Sequence, residues 1–174
     1  VNRNMTTLAG DVAFIDSTSG TLTVRGNLDN SYGDVVDLNG AGNITISGVI
    51  TQLSSGPVDR IVWSGTGVLT LTGNNVNFNG PNGDTYGMFE INGGTVNATT
   101  ASLNGTSTVG SIIFGGSGVA AGGTLQAGAG GITLARSVYL DQNAVFDTNG
   151  QNSTISGLLS NAAGKSGSLT VSNS

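Results

Sequence analysis

The chain has 174 residues, including 30 glycines, with 37% hydrophobic and 9% charged residues. This length suits one domain or a section of a longer repeat array. The chain is too apolar to be disordered, and Val, Ile, Leu and Thr alternate with turn-forming residues instead of following a helical period. An all-β chain is therefore predicted.

The same composition excludes several classes of function. The sequence has no cysteine and no histidine, so it lacks disulfides, the commonest ligands of structural zinc and the commonest general base. A formal net charge of −5 with five basic residues argues against nucleic acid as a partner. No apolar run approaches the ~20 residues that span a bilayer, and the first residues lack a signal-peptide pattern. We expect a soluble chain with no cofactor and no membrane insertion, whose export signal has been removed or lies outside it.

Alternation with a period of two predicts a series of short strands along the chain. In chain order they cover residues 12–15, 21–25, 35–38, 44–51, 60–63, 68–72, 88–92, 95–99, 111–114, 123–126, 131–134, 138–140, 144–147, 153–159 and 168–172. Asparagine-glycine pairs separate many of them and tolerate the positive φ of tight turns, either in hairpins or at the corners of a coil. These pairs begin at Asn39, Asn79, Asn82, Asn92, Asn104 and Asn149.

An internal match favours the coil. Three blocks recur in the same order, namely 20–40 with 130–150, TISGVI (45–50) with TISGLL (154–159), and GVLTLTGN (67–74) with GSLTVSNS (167–174). Such recurrence is typical of a β-solenoid, in which each coil buries its apolar side chains against the next. We predict a single β-helix domain or segment over residues 1–174, in which the repeat 20–74 resembles 130–174.

The predicted column has seven to eight coils of roughly 20–25 residues, each rising ~4.8 Å. Leu69 and Leu71 are expected to point inward. Residues 134–146 are predicted as strand and turn despite a faint helical spacing, and residues 117–131 as a thin coil instead of a linker. An antiparallel sandwich of hairpins is the alternative architecture.

Three segments carry a resemblance to a known repeat, namely TISGVI (45–50), IVWSGTGVLTLTGNN (61–75) and INGGTVNA (91–98). They resemble the passenger-associated transport repeat, also called the autotransporter-associated β-strand repeat, of bacterial type V secretion passengers. The resemblance implies a right-handed parallel β-helix that is exported to the cell surface or released, with a membrane barrel elsewhere in the precursor. The chain departs from the repeat at Val76, where threonine is usual, and at Ser168, where a second glycine is usual.

Acidic residues are the candidates for catalysis. Asp29, Asp34 and Asp37 could converge in a loop near Arg25, as in β-helix enzymes that use aspartates on polysaccharides. Solvated turn residues are the favoured interpretation, so no catalytic, cofactor-binding or metal site is predicted. The oxygen-rich loops at 37–40, 81–87 and 147–150 lack the patterns of calcium-binding loops. Trp63 is expected in the core, with a sugar-stacking platform as the alternative.

The two ends of a β-helix expose strand edges that invite another strand. No capping helix is predicted at Val1 or Ser174. We predict a non-enzymatic segment of a secreted or surface-displayed bacterial passenger, acting as a stalk or adhesive surface towards a host-surface or glycan ligand. The alternatives are an extracellular filament subunit joined end to end as a homo-oligomer, and a polysaccharide-acting enzyme.

Overall fold

In the computed structural model the described part of the chain consists of short strands and contains no helix. It comprises residues 5–6, 12–29, 35–52, 60–73, 77–78, 89–103, 108, 110–116 and 118–174. The strands are β1 (Met5–Thr6), β2 (Val12–Asp16), β3 (Thr21–Val24), β4 (Leu28–Asp29), β5 (Val35–Asn39), β6 (Asn43–Ile46), β7 (Ile50–Gln52), β8 (Arg60–Trp63), β9 (Val68–Leu71), β10 (Asn77–Phe78), β11 (Phe89–Ile91), β12 (Thr95–Ala98), β13 (Ser111–Phe114), β14 (Thr124–Ala127), β15 (Thr133–Leu134), β16 (Ser137–Leu140), β17 (Ala144–Asp147), β18 (Thr154–Ile155), β19 (Leu159–Asn161) and β20 (Leu169–Ser172).

Neighbouring strands in each sheet come from successive turns of the chain. Sheet I is ordered β1-β4-β7-β10, sheet II β2-β5-β8-β11-β13-β16-β19, sheet III β3-β6-β9-β12-β14-β17-β20, and sheet IV contains β15 and β18. Every strand pair among the described residues is parallel. The architecture is therefore a parallel β-solenoid, and the alternative of an antiparallel sandwich is wrong for this part of the chain.

Alternate side chains of sheets II and III fill the column. In β9, Leu69 and Leu71 are 0% and 1% exposed, while Val68 and Thr70 are half-buried, so the two leucines point inward as predicted. Leu69 stacks in register between Ile44 and Val96 of the adjacent coils. Burial of one such side chain is worth ~1.5–3 kcal/mol relative to exposure.

The spacing between stacked positions varies from coil to coil. It is 21 residues between Gln126 and Asp147 and 29 residues between Asn97 and Gln126, a wider range than the predicted 20–25. The connections that close several turns lie outside the described residues. The count of seven to eight coils and the right-handed sense therefore stay predictions.

Two predicted strands are each divided by a corner. Residues 44–51 form the end of β6 and most of β7, and residues 153–159 contain β18 and the start of β19. The chain turns at Gly48 and Gly157, where a Cβ atom would collide with the backbone of Gly26 and Arg136 in the preceding coil. The prediction of single strands is wrong because these glycines mark a close approach between coils. The short strands β1, β4 and β10 were not predicted.

The segment 134–146 forms strand and turn, as predicted, and the described part of 117–131 forms part of a coil and not a linker. Residues 134–146 include β16, and residues 118–131 include β14, which pairs with β12 and β17.

The internal sequence match aligns segments that each contain a strand and the corner beside it. Only some of the matched strands lie in the same sheet. Val35 begins β5 of sheet II, whereas its counterpart Val145 lies in β17 of sheet III. By contrast, the blocks 67–74 and 167–174 place β9 and β20 in the same sheet, sheet III. Similar local sequences thus form the same strand and corner on different sides of the column.

Candidate functional site

The most repetitive feature of the molecule is the turn between sheets II and III, which we call the glycine corner (Gly42, Gly67, Gly94 and Gly123). A Cβ atom on Gly67 would overlap the carbonyl of Gly42, one on Gly94 that of Gly67, and one on Gly123 that of Gly93. The glycines therefore let successive coils approach more closely than any side chain allows.

Backbone hydrogen bonds join the coils at the glycine corner. The N–H of Thr95 donates to the Gly67 carbonyl at 3.0 Å, and the N–H of Thr124 donates to the Gly94 carbonyl at 2.9 Å. The glycines that carry the resemblance to the transport repeat, in the segments 65–67 and 93–94, lie at this corner. Their role in the fold is thus to allow a short distance between the backbones of stacked coils.

Asparagines beside the corners also join one coil to the next. The Asn43 Oδ1 accepts the N–H of Val68 at 2.9 Å, and the Asn143 Oδ1 accepts the N–H of Ser168 at 3.0 Å. Each bond supplies a partner for a backbone donor at the start of a strand, where the ladder has not yet begun.

A row of polar side chains crosses sheet III on its outer face, and we call it the polar ladder (Asn97, Gln126, Asp147 and Ser174). The Asn97 Nδ2 donates to the Gln126 Oε1 at 2.8 Å, and the Gln126 Nε2 donates to the Asp147 Oδ2 at 2.9 Å. The hydroxyl of Ser174 donates to the same oxygen at 2.6 Å.

The carboxylate of Asp147 is the main acceptor of this ladder. Its Oδ1 also accepts the backbone N–H groups of Asn149 and Ser174, both at 3.0 Å. The hydrogen bonds from Ser174 and Gln126 hold the pKa of Asp147 well below its usual range, because they stabilise the charged form. Asp147 therefore joins Ser174, which follows β20, to the preceding coil, and both of its carboxylate oxygens accept hydrogen bonds.

The acidic residues on sheet II are similarly engaged. The Glu90 carboxylate accepts a hydrogen bond from the Arg60 Nη1 at 2.9 Å, and the side chain of Glu90 is almost buried. Asp37 accepts a hydrogen bond from the Ser64 hydroxyl on the next coil. Both contacts link one turn of the column to its neighbour.

Only part of the predicted group of aspartates near Arg25 lies in the described residues. Asp37 lies in β5, whereas Arg25 follows β3 on another side of the column, and no ion pair joins the two described side chains. The side chain of Asp29 and the whole of Asp34 lie outside the described residues, as does the loop 81–87. Among the described side chains, no cluster of three or more potential metal ligands is found.

Trp63 and Arg136 are the two largest fully buried side chains among the described residues. Trp63 is 0% exposed, as predicted for a core residue, and no described residue offers a hydrogen-bond partner to its Nε1. Arg136 is 1% exposed, and burial lowers the pKa of its guanidinium to about 10. The arginine therefore stays charged near neutral pH.

The last coil exposes apolar side chains that lie over the core. Leu159 pairs with the buried Val138 and Val171 with the buried Phe146, yet they are 45% and 66% exposed. Leu158 beside them is 56% exposed. Among the strands that the structure describes, β18, β19 and β20 each have a neighbour on one side only.

Sequence reasoning found the glycines and predicts ladders of outward polar side chains, but it did not identify the residues that form the polar ladder. Alternation of polar and apolar residues predicts the strands 95–99, 123–126 and 144–147, which contain Asn97, Gln126 and Asp147. However, their unequal spacing along the chain prevents alignment by a fixed period. No described residue belongs to a helix long and apolar enough to span a membrane.

Comparisons with known proteins give no match, so a function has to be inferred from the fold and the contacts described above. No protein-family model matches the chain, and neither a curated protein nor a solved structure matches it.

Proposed function

We propose that the chain is a non-enzymatic structural segment of a secreted or surface-displayed bacterial β-helical passenger. It serves as a stalk or adhesive surface outside the cell, towards a host-surface or glycan ligand. In this proposal the column is right-handed. Each strand of sheet II forms one coil with the strand of sheet III that follows it, which gives seven such pairs.

The glycine corner is the observation that supports this proposal most. The residues that resemble the transport repeat recur where the stacked coils approach each other, so the resemblance lies in the feature that builds the column. Stacking of this kind makes a long, narrow body in which each coil contacts only its neighbours. That body suits a spacer or an extended binding surface.

The engagement of the acidic side chains adds support. Asp37, Glu90 and Asp147 each accept a hydrogen bond from a residue of a neighbouring coil. Groups held in this way contribute to the contact between coils, whereas a general acid or base has to reach a substrate.

The location of the natural protein tests the proposal. Antibodies raised against the purified chain are expected to label intact cells or the culture medium, and a cytoplasmic protein serves as the control for cell lysis. Signal that appears only after lysis, together with the cytoplasmic control, would contradict the proposal.

A second candidate function is a filament subunit that stacks end to end with other copies, through the exposed apolar side chains of Leu158, Leu159 and Val171. Unpaired strand edges and exposed apolar side chains are the features through which β-solenoids associate. Electron microscopy and size-exclusion chromatography are expected to show rods that lengthen with concentration.

Charged substitutions at the open coil, Leu159→Lys and Val171→Lys, should shorten these rods. Thr70→Lys, on the outer face in the middle of sheet III, is the matched control and should leave them unchanged. A monomer at every concentration would remove this candidate.

A further inference from the structure

Three asparagine-glycine pairs lie in the described part of the chain, and one differs from the others in its contacts. Asn39 is exposed, and the N–H of Gly40 donates to the Oδ1 of the Asn39 side chain at 2.7 Å. Because a C=O bond is about 1.23 Å long, the Gly40 nitrogen lies within roughly 4 Å of the side-chain carbon Cγ. This approaches the ~3–3.5 Å of a reactive arrangement.

At Asn92 the side chain is held by other partners. Its Oδ1 accepts the N–H of Gly116, and its Nδ2 donates to the Glu90 carboxylate at 3.4 Å. To present its Cγ to the nitrogen of Gly93, the side chain would have to break these contacts.

At Asn149 both reacting groups are held. The Asn149 Nδ2 donates to the carbonyl of Ala127 at 3.0 Å, and the N–H of Gly150 donates to the Oδ1 of Asn173 at 2.6 Å. The Gly150 nitrogen, which would attack, is therefore held by a hydrogen bond to Asn173 of the next coil.

We infer that Asn39 is a site of spontaneous deamidation that the fold leaves open, while Asn92 and Asn149 are protected by their contacts. The Gly40 nitrogen loses its proton to solvent and attacks the Asn39 Cγ. The new N–Cγ bond closes a succinimide ring, the Cγ–Nδ2 bond breaks, and ammonia leaves. Water then opens the ring at either carbonyl, which yields aspartate or isoaspartate.

The product would alter the contact between the first coils. Asn39 pairs with Asp16 of the adjacent strand, and its carbonyl accepts the N–H of Ser17 at 3.0 Å. A carboxylate at position 39 places a like charge opposite Asp16. Isoaspartate also adds a carbon to the backbone and so shifts the carbonyl that Ser17 needs. Among the described Asn-Gly pairs, the modification would thus mark aged molecules at the Asn39 corner.

Peptide mapping of the whole folded chain tests this inference. After incubation at mildly alkaline pH, unfolding and trypsin digestion, the three sites fall in separate peptides, because cleavage follows Arg25, Arg60, Arg136 and Lys165. Fragment spectra then locate the amide lost within each peptide. Asn39 is expected to convert at least about tenfold faster than Asn92 and Asn149, since breaking two ordinary hydrogen bonds slows a reaction by about that order.

The same incubation in denaturant is the control, and there the three sites should convert at similar rates. Asn39→Gln should abolish rapid conversion at position 39, and Asn173→Ala should accelerate Asn149 without changing Asn39. Equal rates at the three sites in the folded chain would overturn the inference. So would an unchanged ranking after unfolding, because the dipeptides and not the fold would then set the rates.

Discussion

Trp63 shows how one side chain constrains its neighbours in a narrow column. Its ring is fully buried, and a Cβ atom on Gly65 would collide with the edge of that ring. The glycine therefore provides space for the tryptophan, in addition to allowing a tight turn. This contact explains why the chain places its only tryptophan two residues before a glycine.

The burial of Trp63 predicts its fluorescence. Because it is the only tryptophan and is 0% exposed, its emission is expected at short wavelength and resistant to quenching by iodide. Emission at the wavelength of free tryptophan, readily quenched in the folded chain, would instead support an exposed sugar-stacking role. The unfolded chain supplies the reference for both quantities.

Asp147 predicts how stability depends on pH. Its pKa is lower in the folded chain than in the unfolded chain, so its contribution to stability is present above pH about 4 and is lost as the pH falls below it. Thermal unfolding midpoints should therefore decrease more steeply on acidification for the natural chain than for Asp147→Asn. Parallel curves for the two proteins would show that the polar ladder does not stabilise the last coil.

At the scale of single elements, the glycine corner predicts which glycine-to-alanine substitution costs more stability. The predicted order is the opposite of the one that the backbone φ angles alone would give. Gly67 has an ordinary φ, yet Gly67→Ala should cost about 3 kcal/mol, because the new Cβ has no room beside Gly42. Gly20 has φ +66° and open space around it, so Gly20→Ala should cost only about 1 kcal/mol. Denaturant unfolding measures both, and the opposite order would refute the close approach of coils.

The inward and outward faces of β9 can be compared in the same way. Leu69→Ala should cost ~2–5 kcal/mol, because it leaves a cavity between Ile44 and Val96. Thr70→Ala, on the outer face of the same strand, should cost less than about 1 kcal/mol. Equal losses would contradict the assignment of faces.

Much of this element structure was predictable from local sequence. Alternation identified β8, β13 and β17 with their boundaries because buried and outward positions differ sharply in chemistry. The corners at Gly48 and Gly157 were missed because the reason for each glycine is the backbone of another coil. The members of the polar ladder were not identified for the same reason, since its hydrogen bonds join residues 21 to 29 positions apart.

At the scale of the whole molecule, stability comes from contacts between adjacent coils. Inner coils such as that of Leu69 are covered on both sides, whereas Leu159 and Val171 in the last coil are covered on one side. Proteins built in this way lose structure from the ends inward. We propose this coil as the place where further coils or another copy would associate.

The central claim, that the strands stack in parallel as a column, is tested most directly by spin-label distances. The chain has no cysteine, so pairs of cysteines can be introduced at Thr21 with Thr124 and at Thr21 with Thr170, all on the outer face of sheet III. Thr124 lies four strands from Thr21 in this sheet and Thr170 lies six. At ~4.8 Å for each strand, the distances should be about 19 Å and 29 Å. A pair at Thr170 that is no farther apart than the pair at Thr124 would contradict the column.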